Sequence, residues 1–123
     1  MADTLKFDSE VYVDTEYSVL MGAAWNDYAE YRICKEFPKA GRVVCENGDD
    51  TLSLATKRLQ SGANIVSDTF GFAIGKTNEA QTPIAVSGRV LAYTYENREE
   101  FVAGDPVCAG PNGTVSKMSR VEV

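Results

Sequence analysis

The residues best suited to chemistry in this chain are two carboxylates three positions apart, Asp27 and Glu30, in the stretch Asp27-Tyr28-Ala29-Glu30-Tyr31-Arg32-Ile33-Cys34. A pair of carboxyl groups can divide acid–base work between them. One, ionised, activates a water or a hydroxyl; the other, protonated, donates to a leaving amide, once burial has pushed their pKa values apart. The spacing resists that division. In an extended strand Tyr28, Glu30 and Arg32 face one way and Asp27, Ala29, Tyr31 and Ile33 the other, so the two acids cooperate only if a bulge or turn comes between them. Otherwise the stretch is a surface strand with solvated charges and half-buried tyrosines.

Most other chemistries fall away on composition. The chain has no histidine, and with it go the commonest general base and the commonest zinc ligand. Neither a serine- or cysteine-type triad nor an HExxH site can be assembled from this chain alone. Cys34, Cys45 and Cys108 are odd in number and irregularly spaced, which fits neither a disulfide framework nor a CxxC metal site. Each sits in an apolar, β-like run, where a free cysteine acts as a small buried hydrophobe. Gly71-Phe72-Ala73-Ile74-Gly75-Lys76-Thr77 has the look of a phosphate loop, but it is one residue short, and Asn78 to Pro83 is a poor start for the helix that phosphate binding requires. No cofactor and no metal are expected. A net charge of −6 argues against nucleic acid as a partner, because a phosphate groove is built from clustered Lys and Arg. No run approaches the ~20 apolar residues of a membrane span, and Met1 to Lys6 lacks the apolar core of a secretory signal. A soluble protein made in the cytoplasm is expected, with no membrane partner.

The elements that must position the two acids are read from a stretch written twice. Residues 36–53 and 100–116 share, in the same order, Glu-Phe, Ala-Gly, Val-Cys, Asn-Gly, Thr and Ser. Each copy has a polar turn, a short apolar run, an Asn-Gly pair where a tight hairpin wants positive φ, and a second run with β-branched residues. Each therefore reads as a β-hairpin, and Asn112-Gly113-Thr114, formally a glycosylation sequon, reads as the turn of the second. Phe70, Phe72 and Ile74 alternate with small residues as in a half-buried strand. Residues 83–95 form the longest β-like run and the expected central strand, with Gly88 marking a bulge or a close backbone crossing. Lys57 to Gly62 reads as a basic, solvated connector. The fold class expected is all-β: a compact barrel or clip-like sandwich of about eight to ten short strands built on a duplicated hairpin. Residues 1–25 are expected to form an N-terminal β arm, either an assembly surface or a first hairpin of the same domain, and residues 26–123 the β-domain.

Two features point to assembly. In the arm, Val19, Leu20, Met21 and Trp25 are too apolar to stand in water unpaired. The second hairpin lies so near the end of the sequence that its neighbours must come from the arm or from another subunit, and an unpaired strand edge is a sticky liability. A homo-oligomer is expected.

Asp27-Tyr28-Ala29-Glu30-Tyr31, followed by a glycine-bearing hairpin and by Pro83-Ile84-Ala85-Val86-Ser87-Gly88-Arg89-Val90, resembles the C-terminal β-domain of bacteriophage tail-spike and neck-appendage proteins, the self-cleaving intramolecular-chaperone family known as peptidase G2. The likeness covers residues 23–120, without the long helical chaperone segment. It implies a virion structural protein of tail-fibre or appendage type that forms trimers and contacts other virion proteins. It also implies a rival, an autoproteolytic maturation module in which Asp27 and Glu30 occupy the acidic motif and the chain is cut just upstream. A third reading, a carbohydrate- or surface-binding module, rests on the stacking faces of Trp25 and the six tyrosines.

Overall fold

The computed structural model describes residues 3–6, 27–78, 80–119 and 121–123. They form ten strands: β1 (Asp3–Lys6), β2 (Tyr28–Cys34), β3 (Val43–Glu46), β4 (Thr51–Leu54), β5 (Ala63–Ile65), β6 (Phe72–Ile74), β7 (Gln81–Ser87), β8 (Leu91–Thr94), β9 (Val107–Gly110) and β10 (Thr114–Lys117). Helical structure among these residues is confined to two single 3-10 turns, Arg98–Glu100 and Pro111–Gly113. The all-β expectation is met.

Both copies of the repeated stretch are hairpins. β3 pairs antiparallel with β4, β9 pairs antiparallel with β10, and the register sets Cys45 opposite Ser53 and Cys108 opposite Ser116. The repeat is thus in step from Val-Cys to Thr-x-Ser. The slip lies in the turn. In the second copy Asn112 and Gly113 both have positive φ, +57° and +66°, as a tight turn requires. In the first, the left-handed residues are Gly48 and Asp50, and Asn47 instead spends its side chain on the hydroxyls of Thr51 and Ser53, at 3.0 and 2.8 Å.

The strands divide between two sheets. One has the order β1-β8-β10-β9. In the other, the order β5-β3-β4-β2 is continued by β6 on the same edge of β2 as β4, while β7 runs along the opposite edge. This second sheet curls until Val66, the residue after β5, forms an isolated bridge to Ile84 of β7. Cys34, Val44, Leu52, Val66 and Ile84 fill the concave side. A second core of Val43, Cys45, Ala55, Ala92, Ala109 and Val115 lies between the two sheets.

Two expectations are corrected. The run 83–95 is not one central strand. Gly88, at φ +115°, breaks it into β7 and β8, which belong to different sheets, because no strand continues through a left-handed residue. The central strand is β2, paired on both edges. Nor does the second hairpin take its first neighbour from the arm or from another subunit. Val115 of β10 pairs in parallel with Thr94 of β8, and β8 in turn pairs with β1, from the expected arm.

The two hairpins meet at a tight seam. Ala55, fully buried, donates its N–H to Val43 O at 2.9 Å and accepts from Gly113 N at 2.8 Å. A Cβ on Gly113 would lie 2.4 Å from Leu54 Cδ1 and 3.1 Å from Val43 O, on a backbone already at φ +66°. Gly113→Ala therefore combines left-handed strain with overpacking and should cost roughly 2–4 kcal/mol. Gly48→Ala, at φ +89° but with nothing within 4 Å, should cost only about 1–2 kcal/mol. Urea midpoints of the two variants check the difference.

Candidate functional site

Asp27 immediately precedes β2 and is buried, 2% exposed. Its backbone carbonyl accepts from Gly71 N at 2.8 Å, which fastens the start of β2 to the loop before β6. Its carboxylate Oδ1 accepts from the Thr69 hydroxyl at 3.0 Å, and Thr69 N in turn donates to the buried Ser67 hydroxyl at 3.2 Å. Among the described residues Asp27 Oδ2 has no hydrogen-bond partner. An unpaired acceptor shielded from water costs about 1–3 kcal/mol, so this atom is held in place by the surrounding fold and not by a bond of its own. The Ser67-Asp68-Thr69 run that supplies the donors carried a signal in the sequence, short hydroxyl side chains next to the apolar Ile65-Val66, and it was missed.

Glu30 lies inside β2, half-buried, with Ile74 of β6 and Ile84 of β7 as its register partners. Three residues of extended chain, roughly 10 Å, separate it from Asp27. The pairing of β2 with β7 does carry a bulge, but the extra residue is Val86 on β7: Tyr28 pairs with Ser87 and Ala29 with Ala85. β2 itself runs straight through, and the odd spacing leaves the two acids on opposite faces. Asp27 and Glu30 are therefore neighbours in the chain but do not share a site. Of the expected assembly residues, Val19, Leu20, Met21 and Trp25 lie outside the described residues.

Three tyrosine rings are already engaged. Tyr28 meets Phe72 edge-on with centroids 5.0 Å apart, Tyr31 meets Phe70 at 6.2 Å with Lys76 Nζ 5.4 Å from its ring, and the Arg42 guanidinium lies 4.1 Å over Tyr93. Tyr95 stands 58% exposed. The cysteines are free. Burial pushes the thiols of Cys34 and Cys45 up, away from the reactive thiolate. The loop resembling a phosphate site is closed by its own chain, since Thr77 N and Asn78 N both donate to Gln81 Oε1, at 2.5 and 3.1 Å. Among the described residues no three His, Cys, Asp or Glu side chains are grouped to hold a metal ion.

Charge is used elsewhere to fix loops. Arg32 reaches Glu46 through two 3.0 Å bonds and Asp50 at 3.3 Å, tying β2 to the tip of the first hairpin. The connector 57–62 is not a free solvated loop. Arg58 makes a two-pronged pair with Glu122 and donates to Lys117 O at 2.6 Å, while Leu59 N donates to Ala109 O at 2.9 Å. Arg58 thereby holds the last residues of the sequence against the second hairpin.

None of the family models, curated proteins or solved structures compared with the chain matches it. What the site can do is read from its own geometry.

The clasp has a pH signature. The Arg58 hydrogen bonds, followed by the Ser119 N–H, hold the Glu122 carboxyl down to about 2 from its ordinary 4.5. A carboxyl lowered in the folded state contributes stability that is fully present above 4.5 and is lost as pH falls through about 2. Amide exchange at Ser119 and Glu122, corrected for intrinsic rates, should stay protected down to pH 4 and open below pH 3, and Glu122→Gln should open it at pH 7.

Proposed function

We propose that this chain is a structural β-domain of a bacteriophage virion, of tail-fibre or appendage type, that assembles with copies of itself as a trimer and carries neighbouring virion proteins. The observation that supports this reading is the edge at β6. Among the described residues this short strand pairs only with β2, yet Phe72 is 59% and Ile74 46% exposed, with Val86, the bulged residue of β7, at 54%. Large apolar side chains on a terminal strand favour burial against another chain. The virion and the trimer are drawn from the resemblance of Asp27 to Tyr31 and Pro83 to Val90 to the phage appendage domain. Light scattering on the eluting full chain should give three times the monomer mass at micromolar concentration. Phe72→Lys with Ile74→Lys should raise the dissociation constant by about 10- to 100-fold, the worth of about one fully buried apolar side chain, since each of the two is already half covered. A monomer of the unaltered chain removes the proposal.

A second reading, self-cleavage just upstream of Asp27, is favoured by one observation, the buried carboxylate whose Oδ2 is left without a donor. Its acid would be Asp27 alone, with Glu30 on the far face of β2. Intact mass distinguishes the two: a self-cleaving chain loses its first residues after expression and Asp27→Ala keeps them, whereas a purely structural chain shows full mass in both.

A further inference from the structure

We propose that the first hairpin turn is a self-modification site: in the folded protein Gly48 N attacks the Asn47 side chain and converts it to a carboxylate, while the matching Asn112-Gly113 pair of the second hairpin is locked against the same reaction.

The chemistry needs only water. Gly48 N gives up its proton to solvent and bonds to Asn47 Cγ; the Cγ–Nδ2 bond breaks, and the amide nitrogen takes a proton from water and leaves as ammonia. The five-membered succinimide then adds water and opens at either of its two carbonyls. One opening gives aspartate, the other isoaspartate, in which the backbone runs through the former side chain. Glycine in the second position favours ring closure because no Cβ crowds the attacking nitrogen. The other described asparagines, Asn64, Asn78 and Asn97, precede Ile65, Glu79 and Arg98 and lack that freedom.

The fold separates the two Asn-Gly pairs. Asn47 and Gly48 are exposed, and a Cβ on Gly48 would meet nothing within 4 Å. Asn47 N donates to Thr51 O at 3.0 Å, but among the described residues Gly48 N donates to no acceptor. Asn47 Nδ2 is tied to the Thr51 and Ser53 hydroxyls by exposed bonds of 3.0 and 2.8 Å, which slow the loss of ammonia without preventing it. In the second hairpin the whole peptide unit is clamped. Asn112 O accepts from Arg42 Nη1 at 3.1 Å, and Gly113 N, buried, donates to Ala55 O at 2.8 Å. Freeing that nitrogen means parting the two hairpins, an opening from the costly end of the local-unfolding range.

Conversion changes the turn. Thr51 Oγ1 accepts from Asn47 Nδ2 and donates its one proton to Asp49 Oδ1 at 2.5 Å. A carboxylate at position 47 cannot donate, so the Thr51 hydroxyl is left to serve two acids with one proton. The tip already sets Glu46, Asp49 and Asp50 against Arg32 and Lys35. A fourth carboxylate loosens it and takes the net charge below −6.

Peptide mapping by mass spectrometry, on the full chain held at mildly alkaline pH, follows both sites together. In the folded protein residue 47 should convert at least about 100-fold faster than residue 112. In guanidinium chloride, where both turns are open, the two rates should come within about 10-fold of each other. Ser53→Ala unties one of the two bonds on Nδ2 and should speed conversion at residue 47 by about 2- to 10-fold, leaving residue 112 unchanged. Asn47→Asp reads the consequence: exchange of the residue 47 amide, which donates to Thr51 O, should quicken about 10-fold. No conversion at residue 47, equal rates at the two sites in the folded chain, or the same ratio in denaturant as in buffer would overturn the proposal, because the fold would then have no say in which turn reacts.

Discussion

The structure depends on one strand that is buried on both faces. In β3, Val44 points into the hollow of the curled sheet with Cys34, Leu52, Val66 and Ile84, while Val43 and Cys45 on the other face pack against Ala55, Ala92, Ala109 and Val115 of the inter-sheet core. Alternation places successive side chains on opposite sides, and here both sides are dry. Val43, Val44 and Cys45 must therefore all be apolar, and Val43 and Cys45 cannot be large, because on their face the second hairpin approaches to backbone hydrogen-bonding distance through Ala55 and Gly113.

That approach explains the composition of the seam. Three alanines, a cysteine and two valines form the core between the sheets, and the buried Leu52 and Ile84 lie on the concave side. Polar side chains brace the same joint from outside. Arg42, with its guanidinium over Tyr93, donates to Asn112 O at 3.1 Å, and Tyr93 N donates to Gly41 O at 2.9 Å. On the far side, Glu96 accepts from the buried Ser116 hydroxyl at 2.9 Å and from Lys117 N at 3.1 Å. Where the small residues run out, the sheets splay apart and leave the apolar cavity beside Val107 and Ile65.

Polar and charged groups elsewhere fix position. Asp27 anchors the start of β2 to the loop before β6, Arg32 fixes the first hairpin tip, and Arg58 pins the end of the sequence. The exposed apolar side chains are of another kind: beyond the edge-on contact of Phe72 with Tyr28, Phe72 and Ile74 stand open at the β6 edge on which the proposed assembly rests.

The two hairpins, the all-β class and the inward role of Cys34 and Cys45 were legible in the sequence, because turn chemistry and alternation are local and repeat themselves. The opposite faces of Asp27 and Glu30 were legible for the same reason, since strand parity needs no knowledge of neighbours. Sheet membership was not. Gly88 reads locally as a bulge or close crossing within one strand, and that it sends β7 and β8 into different sheets depends on β1 and β10 lying beside β8, contacts between residues about ninety and twenty positions apart. The connector 57–62 looked solvated because its partner, Glu122, is 64 residues away from Arg58. Local sequence determined which segments pair as hairpins; only the tertiary structure decided which faces are dry, because burial is set by what a distant segment brings to the other side.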